Sequence, residues 1–263
     1  MPEGDTIFRA ARTLNAALAG RTVIRFESVF PQLTRIDDRS PLRGRTIERV
    51  NGRGKHLLIW FSGDLVLRTH MRMHGSWHLY RPGERWQRSR ADMRIVIATP
   101  EYEAVAFSVP VAELTTQREL ERAVPLRALG PDILSSAFDA DDVVERMQQT
   151  PDVEVADALL DQRVVAGIGN IFKSESLFAS RVNPFARVGE LPRGHLVRVV
   201  ETAHRLMQAS ATGRPAAGFA VYGRGGRPCR RCGTLISRRK QGEHARITYW
   251  CDRCQPRMPA PAG

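Results

Sequence analysis

Cys229-Arg230-Arg231-Cys232 and, 18 residues further on, Cys251-Asp252-Arg253-Cys254 hold all four cysteines of the 263-residue chain. Two C-x2-C pairs at this separation are the ligand pattern of a four-thiolate zinc site, each pair on its own tight knuckle. Four thiolates fill the tetrahedron and leave no position open for a substrate, so the implied cofactor is one structural Zn2+. The β-prone runs 235–239 and 246–250 between the knuckles are expected to pair as a hairpin, giving a zinc ribbon. Cysteines confined to such a cluster suit a reducing compartment better than a disulfide framework.

The ribbon is also where the charge gathers. The chain carries 40 Lys+Arg against 28 Asp+Glu, a net +12. Residues 224–257 alone contain ten Lys/Arg and two acids, a net +8. A basic segment of this density fits a polyanionic partner, foremost nucleic acid, with a solvated protein-docking ribbon as the alternative. Lysine occurs only at Lys55, Lys173 and Lys240, and lysine, unlike arginine, can give up its proton in a suitable site. No run approaches the ~18 apolar residues of a membrane span. The expectation is a cytoplasmic, nucleoid-associated chain with no membrane contact.

Upstream of the ribbon the pattern is helical. Runs at 141–149, 153–160, 169–179 and 192–211 follow the turn Gly130-Pro131-Asp132, with 181–189 as a non-helical connector. Before that turn lie seven short β-prone runs, 22–26, 46–50, 56–61, 65–69, 76–80, 94–98 and 102–107, separated by turn signals such as Asn51-Gly52 and Arg81-Pro82-Gly83. Their spacing predicts an antiparallel β-sandwich. A leading helix is expected from Thr6 to Leu18, capped by Asp5 or Thr6 and ended at Gly20. The fold class is therefore α+β and multidomain. A catalytic β-sandwich domain is expected over 1–128, a helical domain over 129–215, the ribbon over 216–257 and a disordered tail over 258–263.

Three further stretches carry chemistry. In Met1-Pro2-Glu3-Gly4, loss of Met1 would leave Pro2 as a terminal secondary amine, titrating near ~7.7–8.0. Such an amine can attack a sugar C1′ and form an iminium, with Glu3 beside it as acid or base; alternatively Pro2 merely opens a helix. Lys55 stands at the mouth of the apolar run His56-Leu57-Leu58-Ile59, either as a solvated strand end or as a cation near a reacting sugar. Gly167-Ile168-Gly169-Asn170 precedes a helix that includes Lys173, so its glycines and Asn170 suit a phosphate as well as a plain helix start. In Thr69-His70-Met71-Arg72-Met73-His74-Gly75, Met73 is either a core filler or an apolar wedge for a base stack.

Taken together, Pro2-Glu3-Gly4, Gly54-Lys55, Gly167-Ile168-Gly169-Asn170 and Tyr222-Gly223-Arg224 leading into the ribbon resemble the formamidopyrimidine-DNA glycosylase / endonuclease VIII family. The likeness runs from Pro2 to about Gln255. It implies an N-terminal β-sandwich with a leading helix, a helix–two-turn–helix domain and a C-terminal zinc-ribbon hairpin. The partner it implies is damaged double-stranded DNA, bound by a monomer that flips the damaged nucleotide out of the stack. By the resemblance, Pro2 is the Schiff-base nucleophile and Glu3 its acid/base. Lys55 is the proton donor for β-elimination, and Arg246 clamps phosphate and assists δ-elimination. Asn170 grips backbone phosphate, Met73 is the wedge between Arg72 and His74, and Cys229, Cys232, Cys251 and Cys254 bind the zinc; Arg72, His74 and Lys173 are expected to join Met73 and Asn170 in binding DNA.

Two departures bear on substrate. The guanine-repair branch of that family carries an Arg-Arg-Phe-Gly stretch where this chain reads Phe107-Ser108-Val109-Pro110-Val111. It also has a longer loop before Tyr-Gly-Arg, where this chain has only the Ala/Gly-rich 211–221. Both favour oxidised pyrimidines over 8-oxoguanine and formamidopyrimidine.

Overall fold

Leu57 and Ile59 on one strand, Leu65 and Leu67 on the next, and Ala112 and Leu114 on a third are all buried at alternate positions. That period of two builds one apolar face of a sheet. The computed structural model describes residues 2–214, 218–243 and 245–257. It divides into two compact units, Met1–Arg127 and Ala128–Gly263, taken in turn.

The first unit opens with α1 (Gly4–Leu18) and continues through β1 (Arg25–Ser28), α2 (Pro31–Arg39), β2 (Ile47–Arg53), β3 (His56–Phe61), β4 (Leu65–His70), β5 (Ser76–Tyr80), β6 (Met93–Ala98), β7 (Glu103–Phe107) and β8 (Val111–Thr116). Two short helices, α3 (Gln117–Arg122) and α4 (Val124–Arg127), close it. The strands form two four-stranded antiparallel sheets, ordered β1-β6-β7-β5 and β2-β3-β4-β8. Ile95, Ile97, Ala104 and Ala106 of the first sheet join the inward residues of the second and Ile7, Ala11, Leu14 and Leu18 of α1 in one core. The antiparallel sandwich expected from the sequence is present, with eight strands rather than seven.

Several boundaries differ. The first strand lies at Arg25–Ser28, three residues beyond the expected start, because Thr22 makes only an isolated bridge to Thr46. Helix α1 begins at Gly4, and its N-cap is Glu3 rather than Asp5 or Thr6. Asp5 instead lies buried in the first turn beside Arg9.

The second unit contains α5 (Ala140–Gln148), α6 (Val155–Leu160), α7 (Asn170–Ala179) and α8 (Arg193–Ala211), then the hairpin of β9 (Ser237–Gln241) and β10 (Arg246–Trp250). The four helices surround a core of Val143, Met147, Leu159, Leu177, Val199 and Met207. The hairpin's first strand sits two residues later than expected, since Leu235 is still in the turn bridged to Pro228. A separate small core of Phe178, Val221, Ile236 and the buried Cys229 and Cys251 holds the ribbon. The expected tail, 258–263, and the first residues of the expected ribbon domain, 216–217, lie outside the described residues.

Candidate active site and metal centre

Pro2 lies outside α1. The helix starts two residues later, and the Glu3 carbonyl accepts its first hydrogen bond from Ile7 N–H (3.1 Å). Pro2 is therefore not a helix-opening proline; it stands just before the positive end of the helix dipole. Glu3 beside it is 1% exposed.

The first turn of α1 is seated on β2. Gly52 makes this possible, because a Cβ there would lie 3.2 Å from Ile7 Cγ2. The Val50 N–H also donates to Asn15 Oδ1 (2.8 Å). From Gly52 the strand runs one residue to the β2–β3 turn. There Arg53 pairs with His56 and leaves Gly54-Lys55 as a two-residue loop, with Gly54 at φ 57°. Glycine at that position and sign is the type II′ hairpin arrangement. Half-buried Lys55 thus belongs to the same end of the sandwich as the start of α1.

His56 and His70 meet at this end through the β3–β4 register, rings 4.8 Å apart and edge-on. Arg68 Nη1 donates to His56 Nδ1 (3.3 Å), and the same guanidinium grips Glu113 Oε2 through Nε and Nη2 (2.9 and 2.6 Å). Burial, with His70 and the nearby arginines, lowers His56 to about 3. Burial, with Arg72 and Lys55, lowers His70 to about 4. Both imidazoles are neutral at pH 7, and His70 Nδ1 accepts the Arg72 N–H (3.0 Å), placing its proton on Nε2.

That bond begins the Arg72-Met73-His74 turn. All three residues are exposed, Met73 by 46%. Met71 by contrast is 1% exposed and belongs to the core. Met73, the candidate wedge, stands at the tip of the turn while Met71 fills the core.

In the second unit, α7 begins at Asn170 with Gly169 as N-cap. Asn170 is 7% exposed and its Nδ2 donates to Ile247 O on β10 (2.8 Å). Its Oδ1 is buried with no hydrogen-bond partner. Lys173 corrects an expectation: it is 1% exposed, and its Nζ donates to Thr248 Oγ1 (2.6 Å). Thr248 in turn donates to Gln241 Oε1 (2.6 Å). Lys173 faces the hairpin, so it braces the ribbon instead of meeting a phosphate. Arg246, at the first position of β10 opposite Gln241, is exposed.

The four cysteine sulfurs lie within 4.8 Å of one another. The pairs Cys229–Cys254 and Cys232–Cys251 stand at 3.9 and 3.5 Å, against the about 3.8 Å edge of a tetrahedron with ~2.3 Å Zn–S bonds. Burial and the neighbouring thiols push Cys254 up to about 12, while hydrogen bonds at Thr234 draw Cys232 down to about 6. A cation among the four sulfurs would hold them as thiolates, and one zinc fits the set. Gln255 secures the second knuckle, accepting from Cys251 N–H (3.1 Å) and donating to Val182 O (2.7 Å).

Sequence reading missed Glu175 of α7. Its carboxylate accepts the N–H groups of Ala220, Val221 and Tyr222 (2.8, 2.9 and 2.8 Å), so it fixes the segment entering Tyr222-Gly223-Arg224. A half-buried acid between the buried Ser174 and Ser176 of α7 was the available signal.

Comparison with known proteins agrees with this layout. The model of the formamidopyrimidine-DNA glycosylase N-terminal domain matches residues 1–110, that of its H2TH domain 129–217, and the zinc finger found in FPG and IleRS 226–257. "Probable endonuclease 8 2" of Streptomyces coelicolor is 41% identical, covering 99% of this chain and 96% of that protein. "DNA-(apurinic or apyrimidinic site) lyase Nei2" of Mycolicibacterium smegmatis is 36% identical, with 97% and 99% covered. The solved Lactococcus lactis formamidopyrimidine-DNA glycosylase, bound to DNA containing an AP site, shares the fold at TM-score 0.84 and 22% identity, covering 97% of this chain and all of that one. Fold, thiol centre and relatives define a DNA glycosylase with AP lyase activity, an enzyme of base excision repair. The chain belongs to the formamidopyrimidine-DNA glycosylase family, among its endonuclease 8 members.

Proposed function

We propose that, once Met1 is removed, Pro2 is the nucleophile of a bifunctional enzyme acting as a monomer on damaged duplex DNA in the cytoplasm, at the nucleoid. The observation that carries this reading is the placement of Pro2, free of α1 but against its positive end, next to a carboxyl group only 1% exposed. The Pro2 nitrogen lone pair forms a bond to C1′ as the base leaves with the electrons of the glycosidic bond. Glu3 moves protons in that exchange; after the N–H proton is lost, the nitrogen lone pair expels O4′ from C1′, O4′ leaves with a proton, and the opened sugar is held as an iminium. Abstraction of a C2′ proton then breaks the C3′–O bond and expels the 3′ phosphate, with Lys55 supplying a proton. A second elimination expels the 5′ phosphate, leaving a one-nucleotide gap with phosphate ends.

Arg246, exposed on the hairpin, is the phosphate clamp in this scheme, and Asn170 contributes from the start of α7. Met73 is the wedge, flanked by Arg72 and His74. The substrates favoured are oxidised pyrimidines, because Ser108-Val109-Pro110-Val111 offers no arginine to the space a flipped base vacates. The domains map as 1–128, 129–215 and 216–257.

Borohydride reduction on an abasic-site duplex tests the scheme. Protein lacking Met1 should give a covalent adduct, a surface control such as Arg43→Ala should keep it, and Pro2→Gly should lose it. No adduct from protein whose intact mass shows Met1 gone would refute the assignment. Parallel duplexes carrying thymine glycol or 8-oxoguanine opposite cytosine test the substrate; faster cleavage of the second would reverse the preference.

A further inference from the structure

The turn that presents Met73 is fastened at its base. On the entry side the Arg72 N–H is held by His70 Nδ1, with Arg72 itself at φ 52°. At the base Gly75 N–H donates to Met71 O (2.9 Å), and a Cβ on Gly75 would lie 2.6 Å from that oxygen, so no side chain is tolerated. The exit side is held from elsewhere in the chain. Arg88, in the loop between β5 and β6, donates from Nη1 to the His74 carbonyl (3.3 Å) and to Ser76 Oγ (3.1 Å). Its Nη2 donates to Ser108 Oγ (3.2 Å).

Ser108 is a second strained corner, a non-glycine residue at φ 50°, and its N–H donates to Asp92 O (2.7 Å). Asp92 Oδ2 lies 3.6 Å from the Arg88 guanidinium as well. One planar fork therefore ties two chain segments, the Met73 turn where it runs into β5 and the corner after β7. Its neighbours in the loop do something else: Arg81 stacks on Tyr102 and Arg90 on Trp86. Nothing in the activity as described so far uses Arg88.

We propose that Arg88 is a positioning residue for the reaction, holding the Arg72-Met73-His74 turn in the conformation that enters the duplex. Prying a base step apart costs a few kcal/mol, and a wedge that must first be ordered adds its own entropy to that cost. Fixing the His74 carbonyl removes the turn's remaining freedom before DNA arrives. An arginine is needed because a lysine ammonium cannot span the His74 carbonyl and Ser108 Oγ together. The inference rests on the reading of Met73 as the wedge.

Single-turnover borohydride trapping separates the possibilities, using an abasic-site duplex and the same abasic strand unpaired, which has no stack to open. R88A should raise the half-saturating enzyme concentration on the duplex about fivefold, with the maximal rate and the single-strand reaction within about twofold of wild type. M73A should also raise the half-saturating concentration on the duplex, and R88A in the M73A background should add less than about twofold, the non-additivity of residues acting as one unit. R88K should keep most of the defect, and 2-aminopurine next to the abasic site should brighten less with R88A than with wild type. An unchanged duplex reaction, equal losses on both substrates, additivity with M73A or full rescue by R88K would each overturn the proposal. An M73A protein that behaves as wild type would instead remove the wedge reading beneath it. Should R88A fail to fold, R88K and S108A carry the same comparison.

Discussion

Glu3 and the histidine pair show how burial, more than residue type, assigns chemistry at single positions. Glu3 is 1% exposed beside Pro2, and in the proposed scheme it moves a proton as the base departs. A pre-formed abasic site has already lost its base. Glu3→Gln should therefore slow base release about 10²–10⁴-fold while leaving trapping on abasic DNA far less affected, measured on matched lesion and abasic duplexes. His56 and His70 act on stability. Their folded values, about 3 and about 4, lie below the unfolded 6.5, so between these limits the unfolded chain binds more protons than the folded one. Stability rises with pH across that window and is lost as pH falls from about 6.5 toward 4, by up to about 1.4 kcal/mol per pH unit for each imidazole. Urea midpoints between pH 4 and 7 should show this slope, and His56→Gln should flatten it. An unchanged slope would mean that His56 is not a buried neutral imidazole.

At the scale of elements, the β2–β3 hairpin turns a local backbone requirement into the placement of Lys55. Gly54 sits at φ 57°, where a side chain costs roughly 1–2 kcal/mol. Gly54→Ala should lower stability by about 1 kcal/mol and, by re-aiming Lys55, slow strand cleavage more than Schiff-base trapping; a loss of stability alone would detach the turn from the chemistry. Such hairpins were legible in sequence because alternation and turn residues are local. Helix α2 was not: it buries only Leu33, which gives no periodic signal. Strand β8 was hidden behind Pro110, although Ala112 and Leu114 alternate inward. The candidate site divides the same way. Pro2, Lys55 and the four cysteines are announced by short motifs. Lys173 was misread because its partner Thr248 lies 75 residues on, and Arg88 was missed because its three acceptors lie 12 to 20 residues away on either side of it.

Over the whole molecule, the net charge of +12 and its concentration in residues 224–257 make the ribbon an electrostatic element whose shape depends on one ion. Among the described residues no helix is long and apolar enough to cross a membrane, and DNA phosphate is the counter-charge this enzyme meets. Each phosphate neutralised steepens the salt dependence of binding by about 0.9 in log–log slope, so Arg246→Ala should reduce that slope by about one while sparing the zinc. Chelation should act differently. The ribbon's own core is a handful of residues, two of them the buried cysteines, and structural zinc contributes about 10–16 kcal/mol to such small sites. Without the ion, the crowded thiols lose the charge that holds them, β9 and β10 lose their anchor at Cys251 and Gln255, and Arg246 is no longer presented. A strong chelator should thus abolish duplex binding, and added Zn2+ should restore it. Residual trapping at Pro2 on an unpaired abasic strand should survive, because no step of that chemistry uses the metal. Equal loss of both reactions would show that zinc supports more than the ribbon.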